Sequence, residues 1–168
     1  MLRGTYLSNY RITENYNLAQ VAQDYDFEKM TSSISFDSTI ASLAWLKKQA
    51  VLAGAWDGKV HLISINVIGQ ATRAAGLTHG GPVLGLAAKG NHVMSAGPAE
   101  GGKVKFFDIS AGKCVATSVH EGASCAVFID NELITGGWDG YLRMWSLSGE
   151  SNRTEHLGER VYGILGCK

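Results

Sequence analysis

No stretch of this chain approaches the roughly 20 consecutive apolar residues needed to cross a bilayer, so no transmembrane segment is expected and the chain reads as soluble. Charge of one sign is equally scarce. Lys and Arg number 15, as do Asp and Glu, and the formal net charge is zero. That supplies no global field for phosphate backbones or anionic headgroups, and nucleic acid is not expected as a partner. Cysteine is sparse too: Cys114, Cys125 and Cys167 are too few and too far apart for a zinc knuckle or a disulfide framework. They read as reduced thiols of an intracellular protein, cytoplasmic in the first place and nuclear in the second. The opening MLRGTYLSNYRIT has two arginines and no acid but lacks the apolar stretch of a secretory signal. Only two prolines occur, against 21 glycines spread along the chain. This balance argues against a collagen-like or disordered tract and for many tight turns, hence an all-β fold. The 168 residues amount to about one domain.

Self-similarity organises what is present. LAGAWDGKVHLISI at 52–65 lies on ITGGWDGYLRMWSL at 134–147, and MSAGPAEGGKVKFFDI at 94–109 fits between them once two residues are inserted at the turn. The offset is twice 41 residues, inside the range of β-propeller blades and too long for leucine-rich or ankyrin repeats. Apolar residues alternate, or form short runs between glycines, with the period of strands rather than helices. In the third repeat strands are expected near 123–129, 131–137, 140–147 and 150–157, with Trp138-Asp139-Gly140 turning the second into the third. Trp56-Asp57-Gly58 does the same in the first repeat, and Asp-Gly suits such a hairpin because glycine accepts positive φ at little cost. Each repeat is therefore a four-stranded meander, with blades at about 37–78, 79–119 and 120–158. ERVYGILG at 159–166 reads as the opening strand of a further blade over 159–168. Residues 1–30 fit less well, and Leu18, Val21, Ala22 and Tyr25 have helical spacing, so a degraded blade or a linker is expected there. Ile34 and Phe36 read as a strand leading into the first of the repeats, which fill 31–168.

In an antiparallel blade, the loop entering the first strand and the turn between the second and third lie at the same end, so His120 and Asp139 can meet. A histidine pinned by a carboxylate can pass a hydrogen bond to Thr135 and on to the indole of Trp145, tying loop, turn and two strands together. The period, this His120, Thr135, Asp139, Trp145 series and the GGWDGYLRMW strand-turn-strand resemble a WD40 repeat, and the likeness covers about 39–166. In that family the set is a structural network. The second repeat keeps His79 and Ser95 but has Phe107 for the tryptophan and PAEGG where the aspartate belongs. The first keeps Asp57 but has Ala53 and Ile63, and both blades are expected to lean on hydrophobic packing alone. Two subfamily resemblances compete. EKMTSSISF, TIASLAW and VLAGAWDGKVHLISI are similar to the propeller of BEACH-type proteins, whereas HGGPVLGLA and ITGGWDG resemble the mRNA-export and mitotic-checkpoint propellers.

A Ser-His-Asp hydrolase can be assembled on paper from His79 or His120, Asp57 or Asp139, and Ser95 or Ser124. No G-x-S-x-G elbow is present, however, and repeat position already accounts for each residue. Gly80-Gly81 lacks a G-x-G-x-x-G or P-loop lysine pattern, and His61, His92 and His156 have no ligand partners at metal spacing. No catalytic, cofactor or metal site is expected. The innermost strands TIASLAWL, PVLGLAA and ASCAVFI carry no acid, base or metal ligand other than Cys125, which argues against the alternative of a propeller-based enzyme. Trp56 and Trp138 precede the turn aspartates at the rim, where exposed aromatics anchor partners, although each indole can equally pack over its neighbouring turn. Lys59, Tyr141 and Arg143 lie close enough to add polar contacts. The resemblance implies a non-enzymatic scaffold that binds other proteins through the loop face of its blades. Three to three and a half blades cannot close a ring of four to eight. A fragment of a larger propeller protein is therefore expected, or a part-propeller completed by a second chain, with self-association through open blade edges.

Overall fold

A computed structural model of the chain describes residues 32–47, 49–66, 68–98, 102–130 and 132–165. The N-terminal degraded blade or linker expected over 1–30 lies outside the described residues. The described residues form twelve strands in three sheets. β1 (Ile40–Lys47), β2 (Ala50–Ala55), β3 (Lys59–Ile65) and β4 (Ala71–Thr78) make blade 1. β5 (Gly85–Lys89), β6 (His92–Gly97), β7 (Lys103–Asp108) and β8 (Lys113–Val119) make blade 2, and β9 (Ala123–Ile129), β10 (Glu132–Gly137), β11 (Tyr141–Trp145) and β12 (Ser151–His156) make blade 3. Each sheet is an antiparallel meander in chain order, so the fold is all-β and its sheets are propeller blades in a ring that is not closed.

In blades 2 and 3 burial falls from the second strand to the outermost one, because the second strand is covered on both faces. In β6 the residues Val93, Met94, Ser95 and Ala96 are all buried, whereas the polar KCVATSV of β8 and SNRTEH of β12 lie almost wholly in water. Two apolar layers hold the blades side by side. Leu52 and Val60 of blade 1 meet Val83, Leu86, Val93 and Phe107 in the first. Met94, Ala96, Val104 and Phe106 of blade 2 meet Ala123, Leu133 and Trp145 in the second. The turns between second and third strands end on Gly58, Gly102 and Gly140, at φ +82°, +82° and +80°, a conformation that strains any side chain with a Cβ.

One docking device recurs between blades. The backbone of Val83 donates to Ala55 O at 3.1 Å while the Ser42 hydroxyl donates to Val83 O at 2.9 Å. Val161 repeats this on blade 3, donating to Gly137 O at 3.0 Å and accepting from Ser124 Oγ at 2.6 Å. Glycine is required at the crossing, since a Cβ on Gly54 would stand 2.5 Å from Val83 Cγ1 and one on Gly136 would stand 2.4 Å from Val161 Cγ1. Two expectations are corrected here. Residues 159–165, where an opening strand is expected, dock through Val161 but form no strand, and Tyr162 and Leu165 are exposed. Residues 32–36 also form no strand; Phe36 instead leaves the sheet to lie 4.9 Å from the His61 ring, with the Arg73 guanidinium 5.4 Å over its face.

Candidate functional site

The meander order places the β2–β3, β6–β7 and β10–β11 turns at one end of the blades, together with the loops that enter β5 and β9. On blade 3 this rim is closed by a polar relay. The Trp145 indole donates to Thr135 Oγ1 at 2.7 Å, and His120 Nδ1 lies 2.7 Å from that same oxygen. The hydroxyl has one proton, so it accepts from the indole and donates to Nδ1, which leaves Nε2–H to donate to Asp139 Oδ1 at 3.1 Å. His120 and Thr135 are both completely buried. The structure thus brings His120, Thr135, Asp139 and Trp145 into one network.

Arg143 enters the same network. Its Nη1 donates to Asp139 Oδ2 at 2.8 Å, while the Tyr141 backbone N–H donates to Oδ1 at 3.1 Å, so both carboxylate oxygens are engaged. Burial alone would raise the Asp139 pKa, but the Arg143 and Tyr141 hydrogen bonds and the His120 ring together hold it below the ordinary carboxylate value. The His120 pKa is lowered, first by burial and then by Arg143, against the upward pull of Asp139. Sequence reasoning placed Arg143 among partner contacts and missed this role. The signal was the hairpin register, which sets Arg143 directly opposite Thr135.

The other rim residues separate into two kinds. Trp56 is 57% exposed and Trp138 41% exposed, and only their backbones are tied, to Thr39 O at 3.0 Å and Gly122 O at 2.9 Å. Lys59 reaches Asp57 at 3.7 Å, and Tyr141 is enclosed between His156, 4.5 Å away, and the Arg143 guanidinium, 5.0 Å away. Trp45 and Leu43, which sequence reasoning passed over, are 68% and 67% exposed on one face of β1; the alternation in IASLAWLK already puts them together.

Blades 1 and 2 hold partial versions of the relay. On blade 1 Asp57 accepts from its own turn, at Lys59 N, 3.0 Å, and Ser38 stands where a histidine would. Blade 2 does not rest on hydrophobic packing alone: His79 Nδ1 lies 2.7 Å from Ser95 Oγ, deep in the interior. Burial first, then Lys105 and Lys103, lower the His79 pKa to about 4.

Residues 112–146 match the family described as WD domain, G-beta repeat. The chain is 32% identical to the poly(A)+ RNA export protein of Schizosaccharomyces pombe over 136 residues, 76% of this chain and 39% of the relative. It is 28% identical to the mRNA export factor GLE2 of Chaetomium thermophilum over 68% of the chain and 34% of the relative. It is 26% identical to the mitotic checkpoint protein bub-3 of Caenorhabditis elegans over 67% and 34%. The chain therefore spans between a third and two fifths of the length of these curated relatives. Among solved structures, the computationally designed Ika4 protein superposes with a TM-score of 0.69 at 24% identity, covering 82% of this chain and 86% of that one. A chain of the mitotic checkpoint complex does so with a TM-score of 0.67 at 20% identity, covering 78% and 42%.

Proposed function

We propose, from the premise that this chain is built of WD40 repeats, that it works as a non-enzymatic interaction scaffold whose partner is a protein seated on the rim of the β2–β3 and β10–β11 turns. The observation that carries this reading is the contrast at that rim. Trp56 and Trp138 lie open on turns whose backbones are pinned, so they offer large apolar anchors at little further cost in ordering. The relatives support the class of work. They are named for poly(A)+ RNA export, mRNA export and the mitotic checkpoint, and we assign this chain to that branch rather than to the BEACH-type one. Work in both cytoplasm and nucleus follows, through contacts with proteins rather than nucleic acid. The buried His120 and Thr135 and the partly buried Asp139 are bonded to one another and to Arg143, which supports a structural role for them.

The test is capture from nuclear and cytoplasmic extracts by the wild-type chain and by the Trp56→Ala, Trp138→Ala double variant, quantified by mass spectrometry, with melting measured in parallel. The double variant is expected to lose captured proteins at least tenfold while its Tm stays within a few degrees. Undiminished capture with a collapsed Tm would make both indoles packing residues and move the partner to the opposite loops.

A further inference from the structure

Among its described residues, blade 2 has no acid in the place of Asp139, yet it keeps the donors such an acid would serve. Ser95 pairs with Lys105 across β6 and β7 as Thr135 pairs with Arg143 across β10 and β11, so Lys105 occupies the place of Arg143. The histidines correspond as well, each holding Nδ1 at 2.7 Å from its hydroxyl. Each ring also turns Nε2 toward the glycine that opens its turn: Nε2 lies 3.1 Å from a Cβ built on Gly97 and 2.5 Å from one built on Gly137. On blade 3 that nitrogen meets Asp139. On blade 2 the ring is 1% exposed and its Nε2 has no hydrogen-bond partner among the described residues. Buried polar atoms are seldom left so, and an orphan at a rim marks a place where a group from outside belongs. Lys105 lies along the chain that flanks His79, with Nζ 3.4 Å from Thr78 O and 3.8 Å from a Cβ built on Gly80.

We infer that the rim of blade 2 is a carboxylate-binding site, which takes an Asp or Glu side chain of the protein partner between His79 Nε2 and the Lys105 ammonium. The inference rests on the scaffold reading above and names the chemistry of its ligand. A carboxylate is the fitting anion because the same donors on blade 3 already hold one: Asp139, with His120 at 3.1 Å and Arg143 at 2.8 Å. The carboxylate has to displace what covers Nε2, which suits a side chain held by a partner rather than a free ion, and the chain that carries it would lie over the rim between Trp56 and Trp138. A bound carboxylate would also oppose the two lysines that, after burial, depress the His79 pKa.

The full chain, labelled at histidine, is titrated with a capped tetraglutamate peptide and with tetraglutamine as control, and read by NMR. Tetraglutamate is expected to fix His79 as the Nε2–H tautomer and move its pKa up from about 4 toward 6.5, with tetraglutamine silent. Lys105→Met should weaken the peptide at least tenfold, while Lys113→Met, at the opposite end of the blade, leaves it unchanged. Replacing 98–102 by Trp-Asp-Gly gives blade 2 its own acid and should abolish the response. A silent His79, a response that survives Lys105→Met, or an equal response to inorganic phosphate overturns the site. So does peptide binding that appears only in Glu100→Gln, because the chain's own acid would then be the occupant. The His79 signal is independent of capture by the tryptophans, so failure here leaves the scaffold reading standing, and failure there leaves this site standing.

Discussion

Blade 3 closes its rim with four polar side chains and an arginine, whereas among the described residues of blade 2 the series stops at His79 and Ser95. Both nevertheless form the same four-stranded meander, and both bury an aromatic ring at the equivalent position, Trp145 opposite Leu133 and Phe107 opposite Val93. The difference separates two jobs. Apolar contact between sheets makes the blade, since Phe107 serves in one layer as Trp145 does in the other. The relay governs the rim: where it is complete, His120 Nε2 and both Asp139 oxygens are engaged, and where it is cut short, a donor is left for something else. Blade 1 shows the third case, a turn aspartate with no histidine behind it, serving only its own hairpin.

The comparison breaks most visibly at the aspartates. Asp139→Ala would leave His120 Nε2 buried without an acceptor and the Arg143 guanidinium without its partner, a loss of about 2–3 kcal/mol. Asp57→Ala removes an exposed pair with Lys59 and one turn hydrogen bond, and should cost less than about 1 kcal/mol. Denaturant melts of the two variants decide it, and equal or reversed losses would show that the relay on blade 3 does not hold the rim.

Acid should find blade 2 next. A histidine near pH 6.5 when unfolded and near 4 when folded binds more protons in the unfolded chain throughout that window. Stability is therefore full above pH 6.5 and falls as the pH drops toward 4, by roughly 2 kcal/mol between pH 7 and pH 5 for this one group. His120 and His61, both lowered mainly by burial, add losses of the same sign. Asp139 loses its contribution only below the ordinary carboxylate range, outside the window. The pH slope of His79→Gln, rather than its absolute stability, is the measurement: it should be shallower than wild type by about that amount, and an unchanged slope would mean that His79 titrates normally in the fold.

How much of this the residues disclose depends on the range of the interaction. The blades are legible because alternation, Asp-Gly turns and the 41-residue spacing are local signals, and the strands of blade 3 fall where glycines and apolar runs place them. The polar relay is legible for a different reason: four residue types at fixed offsets in one meander meet if the register is right. What escaped reading is contact between blades and at their ends. Nothing local in Gly54 or Gly136 tells that a valine from the next segment crosses there, and Val161 docks without forming the strand its sequence suggests, since strand structure needs a paired neighbour. Phe36 reads as a strand residue by its β propensity but is drawn off to cover His61. The pairing of Arg143 with Asp139 is not legible, because its charge reads as a surface feature until the register sets the two side by side.

The finest comparison concerns one hydrogen atom, the indole N–H that blade 3 has and blade 2 lacks. Trp145→Phe makes blade 3 resemble blade 2 at this position, leaving Thr135 donating to His120 but with the indole donor to its own oxygen removed. It also thins an edge-on contact with Phe106, whose ring centre is 5.9 Å away. The two effects can be separated by a double-mutant cycle with Thr135→Val, which removes the acceptor and keeps the shape. If the hydrogen bond matters in itself, the cycle should return a coupling of about 1 kcal/mol, and Trp145→Phe should cost little in the Thr135→Val background. If the losses simply add, the indole acts as packing volume alone, the way Phe107 does, and the relay on blade 3 ends at the hydroxyl of Thr135.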